Sequence, residues 1–342
     1  MRSLLLFITI FSCGLILKAQ DEKQPYLVKS LSGEAVTDAK LRASGGSITV
    51  IGITSGDARL EVFVTPNNNE KLSKEELQQR LDEYYTLNIS VSNHQLIAIV
   101  QQKNNNMNWK RAVNISFKAY LPVNVNTDLE TSGGSLSLSN LNGTHNFRTS
   151  GGSISVDNVK GKMKGVGSGG SIKVANSSNE IDLETSGGSV TATGCTGDIK
   201  LHTSGGSVQI DNLEGDIEAK TSGGSINADN IKGEFDAGTS GGSVRLTNML
   251  CKVEAETSGG NIDVEIKDAT KDVKLRNTGG SISLQLPANK GYNIDLKANK
   301  IKIPLNNFSG DTDEHSIEGK LNGGGALIDV HTNSGSINIS FK

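Results

Sequence analysis

Residues 149–161 read Thr-Ser-Gly-Gly-Ser-Ile-Ser-Val-Asp-Asn-Val-Lys-Gly, and this stretch returns along the chain at a fixed step. Ser-Gly-Gly starts at Ser132, Ser150, Ser168, Ser186, Ser204, Ser222, Ser240 and Ser258, always 18 residues apart. Thr278-Gly279-Gly280 follows after 20 residues, and fainter echoes stand at Ser44-Gly45-Gly46 and Ser334-Gly335-Ser336. Self-similarity at a fixed period marks a stacked repeat architecture.

Aligning the copies produces apolar columns. One runs Leu136, Ile154, Ile172, Val190, Val208, Ile226, Val244, Ile262. A second, later in each copy, runs Met163, Ile181, Ile199, Ile217, Phe235, Val253. Apolar and polar residues alternate within a copy, the period of a strand with one buried face. Each copy therefore supplies two short strands, too little to bury a face alone. Stacking copies at ~4.8 Å joins the columns into a continuous core, and nine coils make a rod on the order of 40 Å long. The Gly-Gly pair reads as a sharp corner with positive φ. Asn140, Asn158, Asn176, Asn212, Asn230 and Asn248 mark the opposite corner, where asparagine tolerates the left-handed conformation and stacked amides can form ladders. Thr149, Thr185, Thr203, Thr221, Thr239 and Thr257 form another uniform column. Cys195 and Cys251 fall about three coils apart, ~14 Å, which is too far for a disulfide and implies two free thiols in structural positions.

The chain begins with Met1-Arg2 and an apolar run from Leu4 to Leu17, followed by Ala19 at a plausible cleavage point. That is the layout of a signal peptide over residues 1–19, too short for a transmembrane helix, so the chain is expected to be exported. The mature chain has no other apolar segment long enough to span a membrane. With 40 Gly, 5 Pro and 4% aromatic residues, composition alone would permit disorder, but the periodic β-branched residues argue for strands. A net charge of -3 gives no electrostatic reason for a nucleic-acid partner.

Residues 20–130 break the period. They contain alternating segments, a capping box at Ser73–Glu76 opening a short helix to about Tyr85, and strands near 87–91, 96–100 and 113–121. Asn-rich stretches at 67–69 and 104–108 read as loops. We expect residues 20–130 to cap the stack (131–280) at one end and residues 281–342 to cap it at the other, covering edges that would otherwise pair with other chains.

The run Val113–Pro122, the repeated TSGGSISVDNVKG units and the run Ser281–Pro287 resemble the bacterial "putative adhesin" family of β-strand-repeat cell-envelope proteins, whose domains of unknown function are like auto-transporter adhesin heads. The resemblance spans roughly residues 40–342 and rests on structural motifs, so it speaks to fold more than to function. It implies a right-handed parallel β-helix with an envelope or surface role, and it transfers no catalytic motif. The expected fold is thus all-β: a single-stranded β-solenoid with 18-residue coils and irregular caps.

Outward columns carry charges whose signs mostly alternate, as in Lys164, Asp182, Lys200, Glu218. Asp236, Glu254 and Glu256 depart from this as an acidic patch with no basic residue between them in their columns. Asp236 and Glu254 should sit ~5 Å apart on adjacent coils. Paired carboxylates can serve a retaining glycosidase or hold Ca²⁺, yet an ordinary acidic patch is the simpler reading. The only aromatics between Thr131 and Asn277 are Phe147 and Phe235, both in inward columns, so no stacking platform for a sugar is expected. The five histidines are scattered without metal-ligand spacing, and His145 falls in an inward column as a core residue. No catalytic residue, cofactor or metal site is assigned. The expected function is a non-enzymatic, adhesin-like or scaffolding module of the cell envelope, located in the periplasm, on the outer-membrane surface or outside the cell. Its expected partner is an envelope or extracellular polysaccharide or protein. The alternatives are a polysaccharide-acting β-helix enzyme using Glu254, and an envelope-stress or assembly partner that binds one protein through the Tyr26–Tyr120 cap.

Overall fold

The computed structural model describes residues 24–67, 70, 72–103, 108 and 110–342; the expected signal peptide and most of the two Asn-rich loops lie outside them. The described residues are all-β apart from one helix, Lys74–Tyr84. Among the described residues no helix is long and apolar enough to cross a membrane.

Neighbouring copies pair in parallel, side by side at an offset of 18 residues. Ile154 lies against Leu136 on one side and Ile172 on the other, and Val208, Ile226 and Val244 continue the row. Val190, Ile199, Val208, Ile217 and Val244 are completely buried. Each such side chain contributes on the order of 1.5–3 kcal/mol when fully removed from water, against the entropy of ordering its strand. The result is a β-solenoid-like stack with the core along its axis.

Two expectations need correction. Five copies form one bent strand of 14 residues rather than two short ones: Leu136–Thr149, Ile154–Gly167, Val208–Thr221, Ile226–Thr239 and Val244–Thr257. The bend is a single asparagine in the left-handed region, with φ of 57° at Asn140 and 52° at Asn158. One such residue shifts the inside–outside alternation by one position without ending the hydrogen-bonded ladder, so Leu138 and Leu141 both point inward. The ladder does break in the two copies where Ser177 and Cys195 occupy the column of Leu141 and Val159. There the Ser177 hydroxyl, not a backbone carbonyl, accepts the Val159 N–H at 3.1 Å.

The second correction concerns the Gly-Gly corners. None of the repeated pairs has positive φ. The second glycine is needed because of close stacking: a Cβ on Gly152 would lie 2.0 Å from the Gly134 carbonyl oxygen one layer away. Both cysteines of the stack are buried and free, and burial pushes the Cys251 thiol up to about 12, so it stays protonated and inert.

At both ends the layers leave sequence order. Strands Asp38–Ala43 and Ile48–Ile53 pair in parallel with Asn126–Thr131 and Leu136–Thr149, placing the Ser44 corner directly under the Ser132 corner. The chain between them folds outside: Gln95–Gln102 and Val113–Pro122 form the next parallel layer. Antiparallel strands Tyr85–Ser92, Arg59–Pro66 and Leu27–Ser30 finish that end. The helix spans between them, opened by the Ser73/Glu76 capping box and anchored by buried Leu81.

The C-terminal end uses the same device in mirror order. The final strands, Ala326–Thr332 and Ser336–Phe341, do not end the stack. They are inserted between Val273–Asn277 and Ile282–Leu286 on the inside and Tyr292–Lys297 and Lys300–Lys302 on the outside. The antiparallel strands Ser316–Leu321 and Phe308–Thr312 form the outermost cover.

Candidate functional site

Each layer presents two outward faces. The face made by the second half of each copy is charged. Lys200, Glu218, Asp236, Glu254 and Lys274 follow one another in register. Asp236 and Glu254 are neighbours, as the period requires, but they are not an isolated acidic pair. Lys220 Nζ lies 3.2 Å from Asp236 and 2.8 Å from Glu218, and Lys274 Nζ lies 2.5 Å from Glu254. Glu256 is exposed, in register with Gly238 and Arg276. The sequence columns miss the lysines because Lys220 reaches across from the adjacent column and Lys274 comes after the two-residue insertion. A retaining glycosidase keeps one carboxyl protonated by apolar surroundings. Here each of the two carboxylates meets an ammonium in an open setting, an arrangement of exposed ion pairs that contributes roughly 0–1 kcal/mol each.

The other face, from the first half of each copy, mixes uncharged polar side chains with Asp211, Asp229, Arg245, Asp263 and Glu265 and carries a trough. One hollow of about 310 Å³ is lined by Thr191, Gln209, Asn227 and Asp229 among others. A second of about 330 Å³ shares Arg245 and Thr247 with it and continues past Asp263 and Ser283 to Asn338. The outward row through Thr191, Gln209, Asn227, Arg245, Asp263 and Asn338 is in register layer by layer, via Ser283. At strand spacing it runs roughly 30 Å. A parallel row two residues on supplies Asp211, Asp229, Thr247, Glu265 and Gln285. The groups are unequally committed. Asp229 Oδ1 accepts from Thr247 Oγ1 at 2.6 Å and Asn248 Nδ2 at 2.7 Å, and these bonds hold its carboxyl below the usual range. Among the described residues no hydrogen bond engages the side chains of Gln209 or Asn227. A larger hollow of about 610 Å³ lies at the asparagine corner beside Asn140, Asn142 and Asn158, where the chain leaves the stack after Ile53. It spans fewer layers than the trough and has fewer uncommitted groups: Asn158 donates to Asn140 at 2.7 Å and Asn142 to Asn124 at 2.9 Å.

Phe147 and Phe235 are buried, so the trough offers hydrogen bonds without aromatic stacking. His145 is a core residue: it is fully buried, with Nδ1 3.0 Å from Thr127 Oγ1, and burial pushes its pKa down to about 4. The histidines stay apart from one another, but one of them meets two carboxylates. The out-of-order layering brings His331 between Asp329, two residues away on the same strand, and Asp295 of the neighbouring strand. The Asp329-Val330-His331 alternation on one strand face was the available signal; its partner could not be located without the layer order.

The family model for Toastrack DUF4097 matches residues 236–340, slightly under a third of the chain. No curated protein matches the sequence. Among solved structures, the chain is similar to a "putative cell adhesion protein" from Clostridium sporogenes ATCC 15579, at 11% identity over 92% of this chain and 98% of that chain. The TM-score is 0.22. The stretch holding the acidic trio and most of the inserted C-terminal layers, residues 236–340, is where this chain matches the Toastrack family.

Proposed function

We propose that this protein is a non-enzymatic, adhesin-like β-solenoid of the bacterial cell envelope that holds a hydroxyl-rich polysaccharide along the face made by the first half of each copy. In this reading residues 1–19 are removed on export, and residues 131–280 form a right-handed stack of 18-residue coils closed by residues 20–130 and 281–342. The observation that carries it is the trough, in which two rows of hydrogen-bonding side chains recur once per layer and, among the described residues, no hydrogen bond engages the side chains of Gln209 and Asn227. A polymer laid along the rod meets a hydrogen-bonding side chain at each step, so individually weak contacts add through multivalency. The lysine partners of Asp236 and Glu254 support a binding role over hydrolysis.

The test is retention of the purified protein on a panel of envelope and host polysaccharides, with reducing-end release scored in the same tubes. We expect retention without release, weakened on the order of tenfold in a Gln209→Ala/Asn227→Ala double variant and unchanged in Glu254→Gln. Release that disappears in Glu254→Gln would make the protein an enzyme. Neither retention nor release would transfer the function to a protein partner, to be sought at the Tyr26–Tyr120 end.

A further inference from the structure

We propose that Asp295, Asp329 and His331 bind one divalent cation of the zinc type, which fastens the outer C-terminal layer to the inserted one. Asp295 lies on strand Tyr292–Lys297, and Asp329 and His331 on Ala326–Thr332. The strands are parallel, with Asp295 beside Asp329 and Lys297 beside His331. Asp329 and His331 are two residues apart and project from the same face.

The donor atoms are already gathered. His331 Nε2 is 3.2 Å from Asp295 Oδ1 and 3.1 Å from Asp329 Oδ1, and all three atoms lie within 4.8 Å of one another. Two ligands on one tetrahedral Zn²⁺, each at ~2.0–2.1 Å, are themselves roughly 3.3 Å apart. The spacing therefore needs little adjustment to accept the ion.

A second observation points to a cation. Asp329 Oδ1 is shut off from solvent and, among the described residues, has no hydrogen-bond donor. The His331 Nε2 contact is aligned with Asp295 as a hydrogen bond, and it leaves Asp329 Oδ1 close but unserved. A buried carboxylate oxygen without a donor is unfavourable. A cation replacing the Nε2 proton would satisfy both carboxylates at once. The surroundings also orient the ligands. The Arg276 guanidinium donates to Asp329 Oδ2 and, at 3.0 Å, to the Asp329 carbonyl, which turns Oδ1 toward the cluster. Partners of this kind tune metal ligands in known sites.

The other charged groups facing the site are Lys297, Glu318 and Lys274. Lys297 Nζ lies 3.4 Å from Asp295 Oδ1 and competes with the ion, but its side chain is exposed and free to swing into water. Glu318 stands opposite Asp295 on the antiparallel strand. Lys274, beside Asp329, is engaged by Glu254. One imidazole nitrogen with two carboxylates suits Zn²⁺, Ni²⁺ or Cu²⁺ better than Ca²⁺ or Mg²⁺, which take oxygen ligands and more of them. The ligands' partial exposure leaves a fourth position for water.

The experiment titrates the chelator-treated full chain with Zn²⁺ by calorimetry and follows thermal unfolding in parallel. We expect one ion per chain, a raised unfolding temperature, and no response to Mg²⁺. His331→Gln and Asp295→Asn should each weaken binding on the order of 100-fold while retaining the wild-type circular dichroism spectrum. Lys297→Ala should tighten binding, which mere damage to the fold would not do. Absence of Zn²⁺ binding by the wild type, or binding unchanged in His331→Gln, would overturn the proposal. Because polysaccharide retention is read on the opposite face, this test stands or falls independently of it.

Discussion

The hydroxyl of Thr149 donates to the carbonyl oxygen of Gly134, one layer away, at 2.8 Å. It also accepts the N–H of Gly152, the second glycine of its own corner, at 3.2 Å. The arrangement repeats at Thr203, Thr221, Thr239 and Thr257, whose side chains are buried or nearly so. A corner formed of Ser-Gly-Gly has polar backbone groups turned toward the core, and one small hydroxyl satisfies a donor and an acceptor together. That requirement explains the uniform threonine column, which apolar packing does not. It predicts that Thr221→Val, although nearly isosteric, costs about 1–3 kcal/mol by leaving the Gly206 carbonyl and the Gly224 N–H unserved. Thr221→Asn should cost less, because Asn277 already performs both roles, donating to Gly260 O at 2.8 Å and accepting from Gly280 N at 2.9 Å. Equilibrium urea unfolding of the two variants measures the difference.

The two glycines of a corner have unequal reasons to be glycine. A Cβ at Gly206 would stand 2.2 Å from the Gly188 carbonyl oxygen, whereas at Gly205 the nearest atom is 3.4 Å away. Gly206→Ala should therefore force the layers apart and cost about 3 kcal/mol or more, while Gly205→Ala stays within about 1 kcal/mol. Comparable losses at both positions would sink the stacking explanation.

Much of this architecture is legible in the sequence, and the boundary of legibility has a physical cause. The 18-residue step gives the register of Ile154 against Ile172 because each layer repeats its neighbour's chemistry. The asparagine corners are readable for the same reason, since few residues other than Asn and Gly settle in the left-handed region. The Gly-Gly corners mislead because glycine answers two needs, positive φ and close approach, and composition does not separate them. The end layers are illegible for a different reason. Ile48 pairs with Leu136 across a long excursion, and Asp295 pairs with Asp329 although the chain between them folds outside. No repeated motif records such insertions, so the group of Asp295, Asp329 and His331 could not be assembled from spacing.

His145 makes stability depend on pH. It is completely buried, its Nε2 has no hydrogen-bond partner among the described residues, and burial lowers its pKa from 6.5 to about 4. The unfolded chain binds this proton below about pH 6.5, whereas the folded chain resists it until near pH 4. The unfolded state thus holds more protons in that window, and stability falls as pH drops. The contribution is fully present above pH 6.5 and lost toward pH 4, amounting to about 3 kcal/mol. His145→Met, which copies the neighbouring Met163 of the same column, should flatten this segment of the profile. The comparison is urea midpoints of wild type and variant at pH 7.5, 5.5 and 4.5. An equal loss in both would assign the acid sensitivity to surface carboxylates instead.

The inserted C-terminal layer makes a further demand on the chain. Ile328, Val330, Ile337 and Ile339 are buried between layers on both sides, so the last strands act as interior strands of the stack despite their place at the end of the sequence. Removing residues 326–342 would not shorten the rod by one free layer. It would open a slot between Val273–Asn277 and Tyr292–Lys297 and expose two strand edges, a template for pairing with other chains. Deleting these residues should therefore cause concentration-dependent association, detectable by light scattering, along with loss of protection from hydrogen exchange in residues 273–321. Residues 136–257, which pair only with their sequence neighbours on that side, should keep their protection, because in a stacked repeat each layer depends chiefly on those it touches. Complete unfolding of the truncated chain would instead mean that the end layer is required for the whole stack to form.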